Sequence, residues 1–136
     1  MGEYVVDLKG LKELAQNLAK QLKGDEVIAL IGDLGTGKTT FTKFLVEALK
    51  PEEGTVVRSP TFAVLNEYKT QKGTVYHADL YRVKSFDFTD YIGSGILIVE
   101  WADLDPSLDT DIVIHFQHEG DNLRRVKIER KKSVNH

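Results

Sequence analysis

The chain has no cysteine and no long apolar run. Because none of its 136 residues is cysteine, disulfides, thiolate metal sites and cysteine nucleophiles are all excluded. No apolar stretch approaches the roughly 20 residues that a membrane-spanning helix requires. The first residues also lack the basic and apolar pattern of a signal peptide. We therefore expect a cytoplasmic protein that makes no contact with a membrane.

A strong charge of one sign is also absent. Eighteen basic and 21 acidic residues give a net charge of −3, which argues against a protein that holds nucleic acid tightly by itself. Basic residues are concentrated only near the C-terminal end, at Arg124, Arg125, Lys127, Arg130, Lys131 and Lys132. We expect these residues to lie on solvated strand faces and a frayed tail, with a contact to RNA or a partner as the alternative.

What the chain does have is a glycine-rich phosphate-binding loop. Residues 32–39 read Gly-Asp-Leu-Gly-Thr-Gly-Lys-Thr, which matches the pattern GxxxxGK[ST]. In such a loop, backbone N–H groups at a helix N-terminus surround the β-phosphate. Lys38 then reaches the β- and γ-phosphates, and the Thr39 hydroxyl binds Mg²⁺. The predicted nucleotide-binding residues are Gly32, Asp33, Leu34, Gly35, Thr36, Gly37, Lys38, Thr39 and Thr40.

The residues on both sides of the loop support this interpretation. Residues 27–31 form a continuous apolar run, typical of a parallel strand that is buried on both faces. After the loop, apolar residues recur at helical spacing until Pro51. A glycine-rich turn that binds nothing is therefore the weaker alternative. Since no Asn/Thr-Lys-x-Asp motif for reading guanine is present, ATP is favoured over GTP.

The remaining segments alternate between helical and extended patterns. Apolar periodicity predicts a helix over residues 8–22 and strands at 5–6, 27–31, about 62–69, about 74–79, 96–99, 112–118 and 123–129, with a brief extended piece at 55–57. Turn residues at 71–73 and 119–122 predict two hairpins. We therefore predict an α/β fold in which residues 1–136 form a single P-loop ATPase domain. Its P-loop NTPase-like central sheet is expected to be mostly parallel, extended by antiparallel hairpins and flanked by few helices.

Two acidic residues follow predicted strands and are candidates to complete the site. Glu100 comes directly after four buried aliphatic residues, which is the pattern of a Walker B element, and Asp79 follows residues 75–78. Because such groups converge at the carboxyl ends of parallel strands, we predict both as catalytic residues, and both with Thr39 as metal ligands. Either could instead be an ordinary acid at a strand end. Which of them holds the metal and which polarises water stays open.

Several other residues are candidates for contacting phosphate. Thr61, in the turn at residues 59–62, could close over the γ-phosphate, although a purely structural turn is an equal alternative. Arg58 and Arg82 could stabilise phosphate charge, with surface ion pairing as the default for each. His77 is expected to be a satisfied histidine within the sheet rather than a catalytic base.

Taken in order, the motifs resemble the TsaE (YjeE) family of small bacterial P-loop ATPases. The resemblance extends over residues 25–103 and rests on four segments: residues 32–41, residues 59–62 with 66–68, residues 77–82 and residues 98–101. It implies a weak ATPase that uses ATP and Mg²⁺ and is required with TsaB and TsaD for N6-threonylcarbamoyladenosine modification of tRNA, with tRNA contacted through the complex.

The same resemblance transfers the family's site residues to Lys38, Thr39, Asp79 and Glu100. One departure is Thr36, which stands where the family usually has alanine. We expect its side chain to point out of the loop without loss of function.

Two other classes of function remain as alternatives. In a small-molecule or nucleotide kinase, Asp79 would act as the base for an acceptor hydroxyl, although no segment resembles the arginine-rich lid of such kinases. In a nucleotide-gated binding module, ATP would be held without hydrolysis, and Glu100 would be dispensable.

Overall fold

The strands form one sheet in the computed structural model, which describes residues 2–58, 65–83 and 86–131. The strands are β1 (Gly2–Val6), β2 (Val27–Ile31), β3 (Leu65–Thr70), β4 (Gly73–Asp79), β5 (Ile96–Glu100), β6 (Ile112–Gly120) and β7 (Leu123–Arg130). The helices are α1 (Leu8–Gln21), α2 (Lys38–Ala48) and the short α3 (Leu80–Val83), with a 3₁₀ turn at Ala102–Leu104. No helix in the described part of the chain is long and apolar enough to cross a membrane.

The strand order across the sheet is β1-β7-β6-β2-β5-β4-β3. The four central strands, β6, β2, β5 and β4, run parallel to their neighbours within that group. The outer pairs β1–β7, β7–β6 and β4–β3 are antiparallel. The prediction of a mostly parallel sheet was therefore wrong, because only half of the neighbouring pairs are parallel. A parallel pair needs a crossover of a dozen or more residues, whereas a hairpin adds an antiparallel strand through a tight turn.

Both predicted hairpins are confirmed, as are the predicted helices and the buried strands. The β3–β4 turn falls at residues 71–72, and the β6–β7 turn falls at residues 121–122. The described part of the first predicted hairpin strand begins at Leu65, since residues 59–64 lie outside the described residues. The extended piece at 55–57 belongs to no strand. Instead, Thr55 closes a turn, donating from its N–H (3.2 Å) and its hydroxyl (2.6 Å) to the carbonyl of Glu52.

The two long helices pack on the same face of the sheet. Helix α1 begins at its N-cap Asp7, whose side chain accepts a hydrogen bond of 2.9 Å from the N–H of Gly10. The core on this face joins both helices to the central strands, through residues such as Leu11, Leu18, Phe41, Leu45, Ile28, Leu30 and Ile98. A smaller core covers the other face, formed by Val27, Ala29, Leu97, Val99, Leu80, Phe88 and Ala102. Few helices flank the sheet, as predicted.

The topology brings the ends of five strands to one edge of the sheet. The parallel strands β2, β4 and β5 all end there, with Leu30 and Asp79 each in register with Glu100. Strand β6 also ends at this edge, and β7 begins there, since His118 pairs with Arg124. Ligands of open α/β sheets bind at the carboxyl ends of the strands. This edge is therefore where a functional site is expected.

Candidate active site at the carboxyl edge of the sheet

The glycine-rich loop connects β2 directly to α2. Helix α2 begins at Lys38, and Gly37 before it has a φ of 110° in the left-handed region, which favours glycine. Among the described side chains none caps this helix N-terminus. The positive end of the α2 dipole, which favours an anion, therefore faces the loop without a capping side chain.

A cleft of about 350 Å³ lies in front of this loop. We call it the loop cleft, and its lining consists of Leu8, Leu34, Gly35, Gly37, Lys38, Thr39, Thr40, Asp79, Glu100, Trp101 and Arg124. The cleft thus brings together both predicted acids and six of the nine predicted loop residues.

Lys38 is a buried cation at the base of the loop cleft, with only 5% of its surface exposed. Its Nζ donates hydrogen bonds to the carbonyl oxygens of Gly32 and Asp33, the latter at 2.8 Å. The same nitrogen lies 4.4 Å from the centroid of the Trp101 ring, within the range of a cation–π contact. Burial lowers the pKa of Lys38, and the negative charge of Glu100 is the largest influence opposing that shift.

Glu100 is held between two side chains. The Thr39 hydroxyl donates to its two carboxylate oxygens, at 3.0 and 3.1 Å. On the other side, Nε2 of His77 lies 2.5 Å from Glu100 Oε2. Glu100 and His77 are both buried, and they lie on the helix-covered face of neighbouring strands. The carboxylate therefore has a fixed orientation next to a threonine in the first turn of α2.

Asp79 lies beside Glu100 at the end of the adjacent strand. Its Oδ1 accepts a hydrogen bond of 2.9 Å from the N–H of Tyr81. Burial raises the pKa of Asp79, and the negative charge of Glu100 acts in the same direction. The Tyr81 N–H, together with His77 and Lys38, opposes the shift without cancelling it. A carboxylate with a raised pKa can take up a proton more readily than an ordinary aspartate.

Trp101 follows Glu100 in an unusual backbone conformation. Its φ of 60° is in the left-handed region, which is uncommon for a bulky residue and is found preferentially at functional sites. Its N–H donates to the carbonyl of Leu30 at 3.0 Å. The centroid of its ring lies 4.8 Å from that of Tyr81, with the ring planes tilted by 39°, and the Lys38 ammonium also lies over the ring. This conformation places the indole at the wall of the loop cleft.

Comparison with known proteins identifies the family. Residues 5–128 match the sequence profile of the family described as threonylcarbamoyl adenosine biosynthesis protein TsaE. The chain belongs to the TsaE family. The resemblance predicted from the motifs is thereby confirmed.

Individual relatives of the TsaE family support the assignment. The chain is 50% identical over 119 residues to the tRNA threonylcarbamoyladenosine biosynthesis protein TsaE of Aquifex aeolicus, a match covering 88% of each chain. It is 40% identical over 98 residues to the TsaE protein of Bacillus subtilis, covering 68% of this chain and 61% of the relative. The crystal structure of YdiB from Bacillus subtilis is similar with a TM-score of 0.73 at 32% identity, covering 92% of this chain and 82% of YdiB.

Thr36, the departure from the usual TsaE sequence, does not point out of the loop. Only 2% of its surface is exposed, and its hydroxyl donates a hydrogen bond of 2.7 Å to the carbonyl of Asp33. The expectation of an outward side chain was therefore wrong. The loop turns back on itself, so the hydroxyl closes the turn from inside, where alanine would leave that carbonyl with one fewer partner.

Of the three remaining predicted phosphate contacts, only Arg58 has a described side chain. Thr61 lies outside the described residues, and so does the side chain of Arg82. Arg58 is exposed, and it is not among the described residues that line the loop cleft. Its backbone N–H and carbonyl are both hydrogen-bonded to the Tyr68 hydroxyl, each at 3.2 Å. The roles of these three residues in binding phosphate stay predictions.

Sequence reasoning missed two features of the TsaE-family site. His77 is in the sheet, as expected, but its Nε2 contacts Glu100, and its buried Nδ1 has no hydrogen-bond partner within the described residues. The alternation along β4 was a signal, since it puts His77 and Asp79 on one face. Arg124 was assigned to a solvated strand face, yet it is half-buried in the lining of the loop cleft.

The site offers few protein oxygen donors for a metal ion. Among residues 2–58, 65–83 and 86–131, no group of three or more His, Asp or Glu side chains could hold a metal ion. Mg²⁺ is usually bound by one or two protein groups together with phosphate oxygens and water. The Thr39 hydroxyl and the Glu100 carboxylate are adjacent oxygen donors of that kind.

The raised pKa of Asp79 leads to a prediction about stability. In the folded chain its ionised form is disfavoured, so this residue lowers the free energy of unfolding at neutral pH. The penalty decreases as the pH falls through the raised pKa, and it is lost below the ordinary range of an aspartate. Asp79→Asn keeps an oxygen acceptor for the Tyr81 N–H, so we expect a higher melting temperature at pH 7 and a smaller gain near pH 4.

Thermal denaturation at several pH values, without nucleotide or metal, measures this effect. The exposed Asp90, changed to asparagine, is the matched control and should have little effect at either pH. A gain for Asp79→Asn that is equal at pH 7 and pH 4 would contradict the electrostatic explanation.

Proposed function

We propose that this TsaE-family chain is an ATP-binding and slowly hydrolysing accessory factor that acts with TsaB and TsaD in N6-threonylcarbamoyladenosine modification of tRNA. The observation that carries the proposal is the contact of Thr39 with Glu100, 3.0 Å apart, beside the buried Lys38 at a glycine-rich loop. This is the arrangement that phosphoryl chemistry with ATP and Mg²⁺ requires. Family membership supplies the pathway, since the relatives named above are tRNA threonylcarbamoyladenosine biosynthesis proteins.

Phosphate binding follows from the loop. The first N–H groups of α2 and the ammonium of Lys38 would share the β- and γ-phosphates. Lys38 already donates to loop carbonyls, so it is held in place before any ligand binds. Mg²⁺, bound by the Thr39 hydroxyl and phosphate oxygens, would neutralise the charge that develops during hydrolysis.

The two acids suit different roles in hydrolysis. Glu100 accepts the Thr39 hydrogen bond, so it belongs to the metal side of the site. Asp79, with its raised pKa and its position at the neighbouring strand end, suits the orientation and deprotonation of the attacking water. Slow hydrolysis by the isolated chain is in line with the charges of the site. Within the described residues, Lys38 is the one cation next to both acids in the loop cleft.

His77 is a positioning residue in this proposal because it acts through Glu100. Replacing it with leucine removes one of the two side-chain partners of Glu100 Oε2 and leaves only the Thr39 hydroxyl, so we expect turnover to fall about 10- to 100-fold. Binding of ATP should change little, since His77 does not line the loop cleft. His77→Gln can keep an N–H donor and should recover part of the rate. Phosphate release at saturating ATP measures turnover and the Kd for ATP measures binding, so comparing them separates the two effects.

The matched control for His77 is His115. This half-buried histidine also lies near a glutamate, with its Nε2 3.6 Å from Oε1 of Glu129 on the neighbouring strand. His115→Gln should behave as wild type. If the leucine variant of His77 lost ATP binding and turnover to the same extent, a general structural role would be indicated instead.

A reconstituted modification assay tests the proposed function. It contains TsaB, TsaD, tRNA, ATP and a source of threonylcarbamoyl-adenylate, with TsaB and TsaD from the same organism as the chain. Wild type, Lys38→Ala and no added chain are compared. We expect modified tRNA to exceed one equivalent per TsaB–TsaD complex only with wild type. Equal product in all three reactions would refute the proposal, and transfer of phosphate to an added nucleoside would indicate a kinase.

A further inference from the structure

Arg124 faces the glycine-rich loop from the flank opposite the two acids. The loop follows β2, which lies in the middle of the sheet. Asp79 and Glu100 end β4 and β5, on one side of β2, whereas Arg124 is near the start of β7, on the other side beyond β6. The loop therefore lies between a carboxylate flank and an arginine flank.

The guanidinium of Arg124 packs directly on the loop. A Cβ atom built on Gly37 would lie 2.8 Å from Nη1 of Arg124 and 3.4 Å from its Cδ. The same Cβ would lie 3.5 Å from a methyl group of Leu11, on α1. Glycine at position 37 therefore allows the arginine to approach the backbone immediately before Lys38, at the start of α2.

The guanidinium donors of Arg124 are not used within the described structure. The backbone of Arg124 pairs with β1 and β6, but its side chain has no hydrogen bond or ion pair with residues 2–58, 65–83 or 86–131. Other basic residues nearby are neutralised: Arg125 pairs with Glu119 (2.7 Å) and Glu3 (3.4 Å), and Lys127 pairs with Glu129. A half-buried guanidinium with unused donors, aimed at a phosphate-binding loop, is suited to an anion rather than to solvent.

We propose that Arg124 binds the phosphate nearest the base, the α-phosphate, of a nucleotide held in the loop cleft. The inference rests on the proposed function, because it presupposes nucleotide binding there. Lys38 and Thr39 serve the β- and γ-phosphates together with the acids on their flank. The chain of phosphates then leads away from that flank, toward the side where Arg124 lies. Leu8, 53% exposed at the start of α1, also lines the cleft and offers an apolar surface near this side.

The proposal distinguishes Arg124 from an arginine that stabilises the transition state at the γ-phosphate. An α-phosphate contact is present in ATP and ADP alike and does not change greatly during hydrolysis. Loss of this contact should therefore weaken the binding of ATP and of ADP by the same factor. It should raise KM more than it lowers kcat.

The experiment measures Kd for ATP and for ADP by titration calorimetry, and KM and kcat for ATP. Wild type is compared with Arg124→Gln and Arg124→Lys. Arg125→Gln is the matched control, since this neighbouring arginine is paired with Glu119 and Glu3 outside the loop cleft. Thermal melts show that each variant folds.

We expect Arg124→Gln to raise the Kd for both nucleotides about tenfold or more. Lysine should restore part of the affinity, because it keeps the charge but loses the planar fork. Arg125→Gln should match wild type. The α-phosphate assignment is overturned if Arg124→Gln binds both nucleotides as wild type does. It is also overturned if the variant loses affinity for ATP but not for ADP.

Two further outcomes also overturn the assignment. A fall in kcat at unchanged Kd would place Arg124 at the γ-phosphate, and a loss of tRNA modification at unchanged Kd would make it a partner contact. If wild type itself binds neither nucleotide, the proposed function fails together with this inference. That result differs from the case in which wild type and Arg125→Gln bind and only the Arg124 effect is missing.

Discussion

Replacing Lys38 with alanine is expected to raise the Kd for ATP roughly 30-fold or more, since removing one partner of a buried charge pair costs about 2–5 kcal/mol. Lys38 is buried at the loop and lies close to Glu100 and Asp79. Without its ammonium, the phosphates would meet the two carboxylates with no opposing charge at the base of the cleft. Titration calorimetry measures the loss. Fluorescence of Trp101, the only tryptophan, offers a second readout for wild type, since its ring contacts the Lys38 ammonium.

The control for this prediction is another lysine on the same helix. Lys43 is exposed on α2, so Lys43→Ala keeps the fold and changes the net charge by the same amount. It should bind ATP as wild type does. Unchanged binding in Lys38→Ala would show that the loop does not hold phosphate through this residue.

Replacing Glu100 with glutamine should reduce ATP turnover by about 10²- to 10⁴-fold, the range typical of losing a positioned acid or base. Glutamine nearly conserves the volume of this buried side chain. It removes the negative charge of the carboxylate, whose oxygens accept a hydrogen bond from Thr39 and lie 2.5 Å from Nε2 of His77. The Kd for ATP should change much less, because Lys38 and the N-terminus of α2 remain. Single-turnover phosphate release at saturating ATP is the measurement.

Glu47→Gln, on the exposed side of α2, controls for loss of one carboxylate and should retain full turnover. If the Glu100→Gln variant hydrolysed ATP as fast as wild type, Glu100 would be dispensable, as in the alternative of a nucleotide-gated binding module. Equal loss of binding and turnover would instead assign Glu100 a structural role.

Local sequence patterns predicted the loop, both long helices and most of the strands. The run at 27–31 and the glycine spacing after it need no distant partner to be recognised, and β2 with its following loop and α2 form as expected. Glu100 and Asp79 were predictable as acids at strand ends. Their proximity could not be derived from either segment, because it depends on the parallel pairing of β4 with β5 across the 16 residues of chain between them.

Features set by non-local contacts escaped sequence analysis. The orientation of Thr36 depends on a hydrogen bond to Asp33 that closes the loop, which no periodicity encodes. Arg124 could be assigned to a strand, but its position at the loop follows from β6 pairing in parallel with β2. The share of parallel pairs was overestimated for the same reason. The order of strands in a sheet cannot be predicted from the sequence of any single strand.

Strand β5 has consequences for how the site responds to ligands. All five of its residues are buried, and parallel strands pair with it on both sides. Its amide hydrogens should exchange with deuterium only when the whole domain unfolds, whereas those of the outer strand β1, with three exposed residues, should exchange through local opening. The acid at the end of β5 therefore belongs to the most slowly exchanging part of the molecule. Ligand-induced changes in deuterium uptake should be confined to the segments around it, since the strand itself has almost no local freedom to lose.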